Sequence, residues 1–362
     1  MKDTILFGDC RESLKTIATS DTKARMCVTS PPYYGLRDYG TATWIGGDPN
    51  CNHRRDTKVK PENCNTGHKN HDEMAGVGDA IYKTVCPKCG AIRQDSQIGL
   101  EQTPEEYVKE MVKVFSLVRD CLTDDGTLWL NIGDSYYNYR SDGNYPKQTV
   151  SKTRQDLPQS TPVRGNKLEG LKQKDLIGIP WMLAFALRAD GWYLRQDIIW
   201  HKPNPMPESV KDRCTKAHEY IFLLSKSKNY YYDNEAIKEP AKDWGTRDRT
   251  NGKYHNPGSG LAPHSGLTKS YATKNKRSVW SVTVKPYKGA HFATYPEDLV
   301  EPCILAGSEK GDIVLDPFMG SGTTAMVAKK NSRSYLGCEL REEYASLQTA
   351  RISTIPNKLP LY

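Results

Sequence analysis

One segment indicates the fold class most directly: Ile313-Val314-Leu315-Asp316-Pro317-Phe318-Met319-Gly320-Ser321-Gly322-Thr323-Thr324-Ala325. Its apolar start predicts a short buried strand, and residues Thr323 to Lys330 predict a helix, so the glycines occupy a strand-to-helix turn. Gly320 and Gly322 let the backbone approach a ligand closely, and Ala325 lets the helix pack against the strand. The segment therefore predicts a ligand-binding loop in an α/β fold.

The motif alone does not identify the ligand of this glycine loop. The loop is not a P-loop, because no Gly-Lys-Ser/Thr follows it. It matches G-x-G-x-x-A, and Glu339, which ends the next predicted strand, stands where it can bind ribose hydroxyls. A nicotinamide dinucleotide, S-adenosylmethionine and a purely structural turn all fit this pattern.

Strands and helices alternate along most of the chain. Strands are predicted at Thr4–Phe7, Arg25–Thr29, Thr127–Ile132, Asp197–Trp200 and Glu219–Leu224, and helices at Cys10–Ile17, at Pro180–Ala189 and after the capping box Thr103–Glu106. Asp124-Asp125-Gly126 predicts a turn before the third of these strands. Such alternation predicts an α/β domain with a mostly parallel central sheet.

A second candidate site is the segment Thr29-Ser30-Pro31-Pro32-Tyr33, which ends a predicted strand. Two consecutive prolines end the strand and remove two backbone donors. They also push Ser30 toward an extended conformation. The resulting stiff turn presents a hydroxyl, free backbone carbonyls and an aromatic ring. Such a turn suits a planar ligand with an exocyclic amine, although an ordinary proline turn has the same composition.

Composition narrows the function classes. The 362 residues carry 51 Lys and Arg against 43 Asp and Glu, and the segment 201–290 alone holds 17 basic and 8 acidic residues. This local excess of basic residues fits a polyanionic partner, with a solvated loop region as the alternative.

Because the sequence lacks both a membrane-spanning apolar run and the apolar core of a signal peptide, we expect a cytoplasmic protein without membrane partners. Ten cysteines without an export signal then indicate reduced thiols or metal ligands.

The two motifs together resemble those of a known family. T-S-P-P-Y followed by D-P-F-x-G-S-G-T-T is similar to the motif pair of beta-class, permuted DNA amino-methyltransferases, which use S-adenosylmethionine and come from bacteria and phages. The segments Trp200–Pro205, Arg277–Trp280 and His291–Pro296 also resemble this family. The resemblance implies a Rossmann-like methyltransferase fold with a mostly parallel central sheet. With the composition, it divides the chain into a catalytic half (1–43 and 99–200), an inserted zinc knuckle (44–98), a loop-rich target-recognition region with some core strands (201–285) and a cofactor-binding half (286–362).

The implied chemistry matches the residues of the proline turn. A base amine is a poor nucleophile because its lone pair is delocalised into the ring. The Ser30 hydroxyl and the Pro31 carbonyl can accept its two N–H bonds and aim the lone pair at the sulfonium methyl, while Pro32 stiffens the turn. Tyr33 would stack on the base, which must first be flipped out of the duplex.

The resemblance also implies the cofactor residues. These are Phe318, Gly320, Gly322 and Thr323 in the loop, Asp316 beside the methionine part, Glu339 at the ribose and Asp9 near the adenine. Asp9 also fits a helix N-cap, and the two roles are compatible.

The target base is less determined than the reaction. In this family serine before the two prolines goes with cytosine N4, so we expect cytosine, with adenine N6 as the alternative. Methylation of a ring carbon needs a cysteine nucleophile, and Cys303 lies in a predicted core helix instead. Two remote alternatives are a nicotinamide-dependent oxidoreductase, which leaves Ser30 to Tyr33 unexplained, and a non-catalytic zinc-containing DNA-binding protein.

Four residues of the polar insertion have the pattern of a zinc site. Cys51 and His53 form one pair, and Cys86 and Cys89 form another in C-P-K-C-G, so they predict a Cys₃His tetrahedral site. Three further candidates between the pairs are Cys64, His68 and His71. Four protein ligands would close the coordination sphere, so the zinc would be structural. Unligated loop thiols are the alternative.

The expected macromolecular partner is double-stranded DNA, contacted by the basic residues of 201–290. A homodimer and a cognate restriction endonuclease are both compatible with the sequence, which selects neither.

Overall fold

The computed structural model describes residues 1–35, 42–53, 85–137, 168–241, 272–284 and 295–355. The strands are β1 (Thr4–Phe7), β2 (Ala24–Thr29), β3 (Thr43–Ile45), β4 (Ile92–Gln94), β5 (Leu122–Ile132), β6 (Tyr193–His201), β7 (His218–Ser225), β8 (Glu239–Pro240), β9 (Thr273–Lys274), β10 (Val279–Ser281), β11 (Ile313–Asp316) and β12 (Ser334–Glu339). The helices are α1 (Cys10–Ala18), α2 (Pro104–Cys121), α3 (Ile179–Ala189), α4 (Glu297–Gly307), α5 (Thr323–Lys330) and α6 (Ala345–Ser353), with a 3-10 turn at Glu342–Tyr344.

The central sheet has eight strands in the order β1-β12-β11-β2-β5-β7-β6-β10. Five of its neighbouring pairs are parallel, and the two pairs that involve β7 are antiparallel. The predicted α/β fold with a mostly parallel sheet is therefore confirmed. Helix α1 begins at the predicted Cys10, and α2 begins with the predicted capping box of Thr103 and Glu106.

The sheet is covered on both faces, which explains why its inner strands are apolar throughout. On β2, Cys27 packs into the cluster that contains α1, α2 and α3, whereas Met26 and Val28 pack into the cluster that contains α4 and α5. Successive side chains of a strand point to opposite faces, so one strand supplies both cores. Cys303 is buried in α4, as expected for a core residue.

The carboxyl ends of the parallel strands meet along one edge of the sheet. Phe7 of β1 lies opposite Glu339 of β12, and Thr29 of β2 lies opposite Leu130 of β5. Because β6 runs antiparallel to β7, its end at His201 lies opposite the start of β7, which pairs with the end of β5. Ligands bind at this kind of edge in open α/β sheets. Both predicted motifs begin at this edge, where β2 ends at Thr29 and β11 ends at Asp316.

One predicted segment differs from the structure in detail. Residues 124–126, predicted to form a turn before a strand, belong to β5, opposite a register shift between Ala24 and Met26 of β2. The segment 201–285 supplies β7 and β10 to the central sheet, and its role in target recognition stays a prediction. None of the helices in the described ranges has the length and apolar character that a bilayer crossing requires.

Candidate active site

The proline turn leaves the buried end of β2 and is held from behind by α2. Tyr107 is fully buried and donates a hydrogen bond to the carbonyl of Pro32 (2.8 Å). That contact occupies the second proline carbonyl. It leaves the Pro31 carbonyl as the backbone acceptor that the sequence predicts for an amine.

Tyr33 is anchored at both its hydroxyl and its ring. The hydroxyl lies 2.7 Å from Oε2 of Glu219 and 3.3 Å from Oδ1 of Asn131. A Cβ at Gly133 would lie only 2.7 Å from Cε2 of the ring, so the backbone there packs directly against the aromatic side chain. Burial and the neighbouring Glu219 raise the pKa of Tyr33 well above its usual range. The phenol therefore stays protonated and acts as a donor.

The glycine loop leaves the end of β11 and leads into α5. Gly320 and Gly322 have φ values of +53° and +83°, which disfavour any other residue. The Gly320 amide donates to Oε2 of Glu339 (2.8 Å), and the side-chain amide of the buried Gln348 donates to the Gly320 carbonyl (2.7 Å). Desolvation raises the pKa of Glu339. Glu339, the residue predicted to bind the ribose, is thus hydrogen-bonded directly to the glycine loop.

Asp316 connects the two motifs. Its Oδ1 accepts hydrogen bonds from the Thr29 hydroxyl (2.6 Å) and the Phe318 amide (3.0 Å), and its Oδ2 accepts from Tyr295 (3.1 Å) and Thr324. The side chain is fully buried, and desolvation raises the pKa of its carboxyl although these hydrogen bonds oppose the shift. The resemblance places Asp316 beside the methionine part of the cofactor. In the structure its carboxylate is enclosed by protein donors and braces the loop against the proline turn.

Asp9 lies at the neighbouring strand end and caps α1. Its Oδ1 accepts the Arg11 amide (2.9 Å), and the Arg11 guanidinium pairs with its carboxylate. Partial burial alone would raise the pKa of Asp9, but the hydrogen bonds and charge of Arg11 lower it. The Gly8 amide donates to the Glu339 carbonyl (2.8 Å), so Asp9, just after β1, lies beside the end of the adjacent strand β12. An adenine contact by Asp9 stays a prediction, whereas the N-cap is present.

The predicted zinc ligands converge in the insertion. Cys51, His53, Cys86 and Cys89 each offer a ligand atom, and all four atoms lie within 4.8 Å of one another. Trp44 of β3 stacks on the His53 ring, with centroids 4.3 Å apart. The hairpin of β3 and β4 therefore carries a preformed cluster. Cys64, His68 and His71 lie outside the described residues.

Comparisons with known proteins agree with this geometry. A family model described as DNA methylase, of the N6/N4 methyltransferase type, matches residues 24–350. The chain belongs to this DNA methylase family. The membership makes it a DNA N-methyltransferase and removes the nicotinamide-dependent alternative.

Relatives across the whole chain support the same family. The type II methyltransferase M.SmaI of Serratia marcescens is 41% identical over 96% of this chain and 90% of its own length. M.Cfr9I of Citrobacter freundii, also a type II methyltransferase, is 39% identical over 96% of this chain and 87% of its own length.

Solved structures confirm the fold of this DNA methylase. The PvuII DNA methyltransferase, described as cytosine-N4-specific, matches with a TM-score of 0.52 and 15% identity over 99% of this chain and 88% of that one. A Thermus thermophilus protein solved with S-adenosyl-L-methionine matches with a TM-score of 0.50 and 20% identity over 98% of this chain and 95% of that one.

Several residues at the site were not found by sequence reasoning. They are polar or aromatic side chains that support the two motifs from other elements: Tyr107, Asn131, Glu219, Tyr295 and Gln348. Asn131 did carry a signal, because it interrupts an otherwise apolar strand, Leu128-Trp129-Leu130-Asn131-Ile132. Tyr295 also carried a signal, because it lies in the segment His291–Pro296 that resembles the family. The other three lack a local signal, since their role depends on contacts between distant segments.

Proposed function

We propose that this DNA methylase transfers the methyl group of S-adenosylmethionine to the N4 amine of a cytosine that is flipped out of a specific duplex sequence. One observation carries the proposal. The proline turn and the glycine loop end the adjacent strands β2 and β11, and Thr29 and Asp316 join them through a buried hydrogen bond of 2.6 Å. A base acceptor site and a cofactor loop are thereby held side by side, which is the arrangement that an in-line transfer needs.

The residues of the turn would activate the amine. The Ser30 hydroxyl and the Pro31 carbonyl accept its two N–H bonds, which favours a pyramidal nitrogen with its lone pair directed away from the ring. S-adenosylmethionine supplies the electrophilic methyl group. Tyr33, clamped between Glu219 and the backbone at Gly133, offers its ring to the flipped base.

The glycine loop fits a nucleoside cofactor. The two positive φ values open the turn before α5. Oε1 of Glu339 accepts the Arg341 amide (2.9 Å) and Oε2 accepts the Gly320 amide (2.8 Å), which leaves further lone pairs of this carboxylate for ribose hydroxyls. Phe318 and Thr323 flank the same turn. We propose that these residues bind S-adenosylmethionine.

Cytosine is favoured because serine precedes the two prolines, a position where adenine-specific members of the family usually carry aspartate or asparagine. Adenine N6 is the alternative, since a hydroxyl accepts an N–H bond from either amine.

A transfer assay tests the reaction and the base together. The protein is incubated with labelled S-adenosylmethionine and mixed-sequence duplex DNA, and the nucleosides are then separated by mass. We expect N4-methylcytosine. Recovery of N6-methyladenine alone would overturn the base assignment. If the protein is folded and binds cofactor but transfers no label to the DNA, the proposed function is wrong.

A substitution tests the site. Ser30→Ala should slow transfer about a hundredfold, the scale of losing one transition-state hydrogen bond, while the dissociation constant of S-adenosylmethionine changes less than about twofold. Ser20→Ala is the matched control, because that hydroxyl bonds a helix carbonyl (2.7 Å) at the end of α1. An equal loss of cofactor affinity in Ser30→Ala would mean that the turn is misassigned.

The protein, we propose, acts as a type II enzyme together with a restriction endonuclease of the same sequence specificity.

We also propose that the duplex lies along the basic segment 201–290. Phosphate contacts by lysine and arginine make DNA affinity fall as salt concentration rises. A DNA affinity independent of salt would contradict this placement.

The insertion, we propose, binds a structural zinc ion through Cys51, His53, Cys86 and Cys89. Tetrahedral zinc, with Zn–S near 2.3 Å and Zn–N near 2.05 Å, places two sulfurs about 3.8 Å apart and a sulfur and a nitrogen about 3.6 Å apart. The Sγ atoms of Cys51 and Cys86 are 3.7 Å apart, and Sγ of Cys89 is 3.5 Å from Nδ1 of His53. A disulfide, at about 2.05 Å, does not fit these separations.

The zinc proposal is tested by metal content. Purified protein should hold one zinc per chain, and Cys86→Ser should lose it and unfold the insertion, seen as faster proteolysis between residues 42 and 98. Cys214→Ser is the matched control, because Cys214 is exposed and lies outside the cluster. Metal-free protein with an intact, protease-resistant insertion would refute the proposal.

A further inference from the structure

Glu219 lies behind the proline turn and contacts it through Tyr33. We infer that Glu219 is a positioning residue that fixes the direction of a hydroxyl chain, so that Ser30 meets the target amine as a hydrogen-bond acceptor. The inference rests on the proposed role of Ser30.

The hydroxyl chain has three members, Glu219, Tyr33 and Ser30. Oε2 of Glu219 is 2.7 Å from the Tyr33 hydroxyl, and that hydroxyl is 3.5 Å from Oγ of Ser30, at the long end of hydrogen bonding. A carboxylate can only accept, and a phenol has one proton to give. The short, charge-assisted contact with Glu219 therefore takes the Tyr33 proton.

The direction of the next hydrogen bond follows. With its proton committed to Glu219, the Tyr33 oxygen faces Ser30 as an acceptor, so the serine donates to it. The Ser30 oxygen then keeps its lone pairs for the amine. If the chain ran the other way, Ser30 would point a proton at a group that itself needs to donate.

The surroundings of Glu219 favour its acceptor role. Lys202 binds Oε1 and offsets the negative charge, and the Asn131 side-chain amide donates to Oε2 (3.3 Å) while its second bond goes to the Tyr220 carbonyl (3.1 Å). The Glu219 side chain is 16% exposed, so competing water is largely excluded. Lys202 and Glu219 both belong to the segment 201–285, which therefore reaches the catalytic turn directly.

The test is a double-variant cycle on the full-length protein with saturating cofactor and DNA. Glu219→Gln replaces the acceptor-only group by an amide of the same size that can also donate, and Tyr33→Phe removes the hydroxyl while keeping the ring. We expect each to lower the single-turnover rate about tenfold or more, the scale of one hydrogen bond to a charged group. The double variant should be no slower than the slower single variant, because both changes break one chain.

Binding constants separate this role from a structural one. The dissociation constants of S-adenosylmethionine and DNA should change less than about twofold in both variants. Glu235→Gln is the matched control, because Glu235 also pairs with a lysine, Lys238 (2.6 Å), but on an exposed turn. Its rate should equal that of the unmodified protein.

Several outcomes overturn the inference. A normal single-turnover rate in Tyr33→Phe that folds and binds cofactor would overturn it, even if Glu219→Gln fails to fold. Rate losses that multiply in the double variant would show that the two residues have independent roles. If Ser30→Ala also keeps the normal rate, the proposed site itself fails. If Ser30→Ala is slow while Glu219→Gln is normal, the proposed function stands and this inference alone falls.

Discussion

The buried link between Thr29 and Asp316 gives the sharpest stability prediction. Thr29→Val keeps the shape of the side chain but removes the hydroxyl that donates to Oδ1 of Asp316 at 2.6 Å. Both residues are fully buried, so water cannot replace the donor. A hydrogen bond to a charged group contributes about 1.5–3 kcal/mol, and we expect the free energy of unfolding at neutral pH to fall by about that amount.

The pH dependence of this loss identifies its cause. Burial raises the pKa of Asp316 above its ordinary 3.8, and the Thr29 hydrogen bond opposes that shift. A raised carboxyl pKa means that the folded state binds more protons than the unfolded state, so its stability contribution is present in acid and is lost as pH rises through the folded pKa. Thr29→Val raises the pKa further, and the penalty should therefore grow with pH.

Urea unfolding followed by fluorescence measures both effects. The matched control is Thr16→Val on the exposed face of α1, which should change stability by less than about 0.5 kcal/mol. A Thr29→Val penalty below about 0.5 kcal/mol, or a penalty that shrinks as pH rises, would refute the view that the carboxylate is charged and held by this hydroxyl.

Three further substitutions separate the two halves of the site. Gly133→Ala places a Cβ 2.7 Å from the Tyr33 ring and should slow methyl transfer at least about tenfold in a single-turnover assay, with normal cofactor binding. Gln348→Ala removes the donor to the Gly320 carbonyl and should weaken S-adenosylmethionine binding about tenfold in calorimetry, with little change in DNA affinity. Glu339→Gln should weaken cofactor binding by at least as much, since it alters both the ribose acceptor and the loop anchor. Normal cofactor affinity in the last two variants would contradict the loop assignment.

The sequence was sufficient for the local features of the fold. Hydrophobic runs located every strand of the central sheet except β10, and Thr103 with Glu106 located the start of α2, because these signals depend on neighbouring residues alone. The two motifs were found for the same reason. Residues 124–126 were misjudged as a turn, since pairing of β5 with β2 and β7 outweighs the turn preference of Asp-Asp-Gly.

The supporting residues of the site could not be found in this way. Glu219 reaches Tyr33 across 186 positions, and Thr29 reaches Asp316 across 287. A glutamate at the start of a strand looks like any solvated charge until the sheet order brings β7 beside β5. The Cys/His cluster was predictable in its residues, but the separations on which the zinc proposal rests come from the hairpin of β3 and β4.

The position of β11 has a consequence for synthesis of the protein. This strand lies between β2 and β12, yet it is made some 280 residues after β2. Until it emerges from the ribosome, one edge of β2 stays unpaired and β1 lacks its neighbour β12. Contacts so distant in sequence close slowly and expose strand edges meanwhile. We expect nascent chains to depend on chaperones late in translation, and chains truncated before residue 313 to remain unable to bind cofactor.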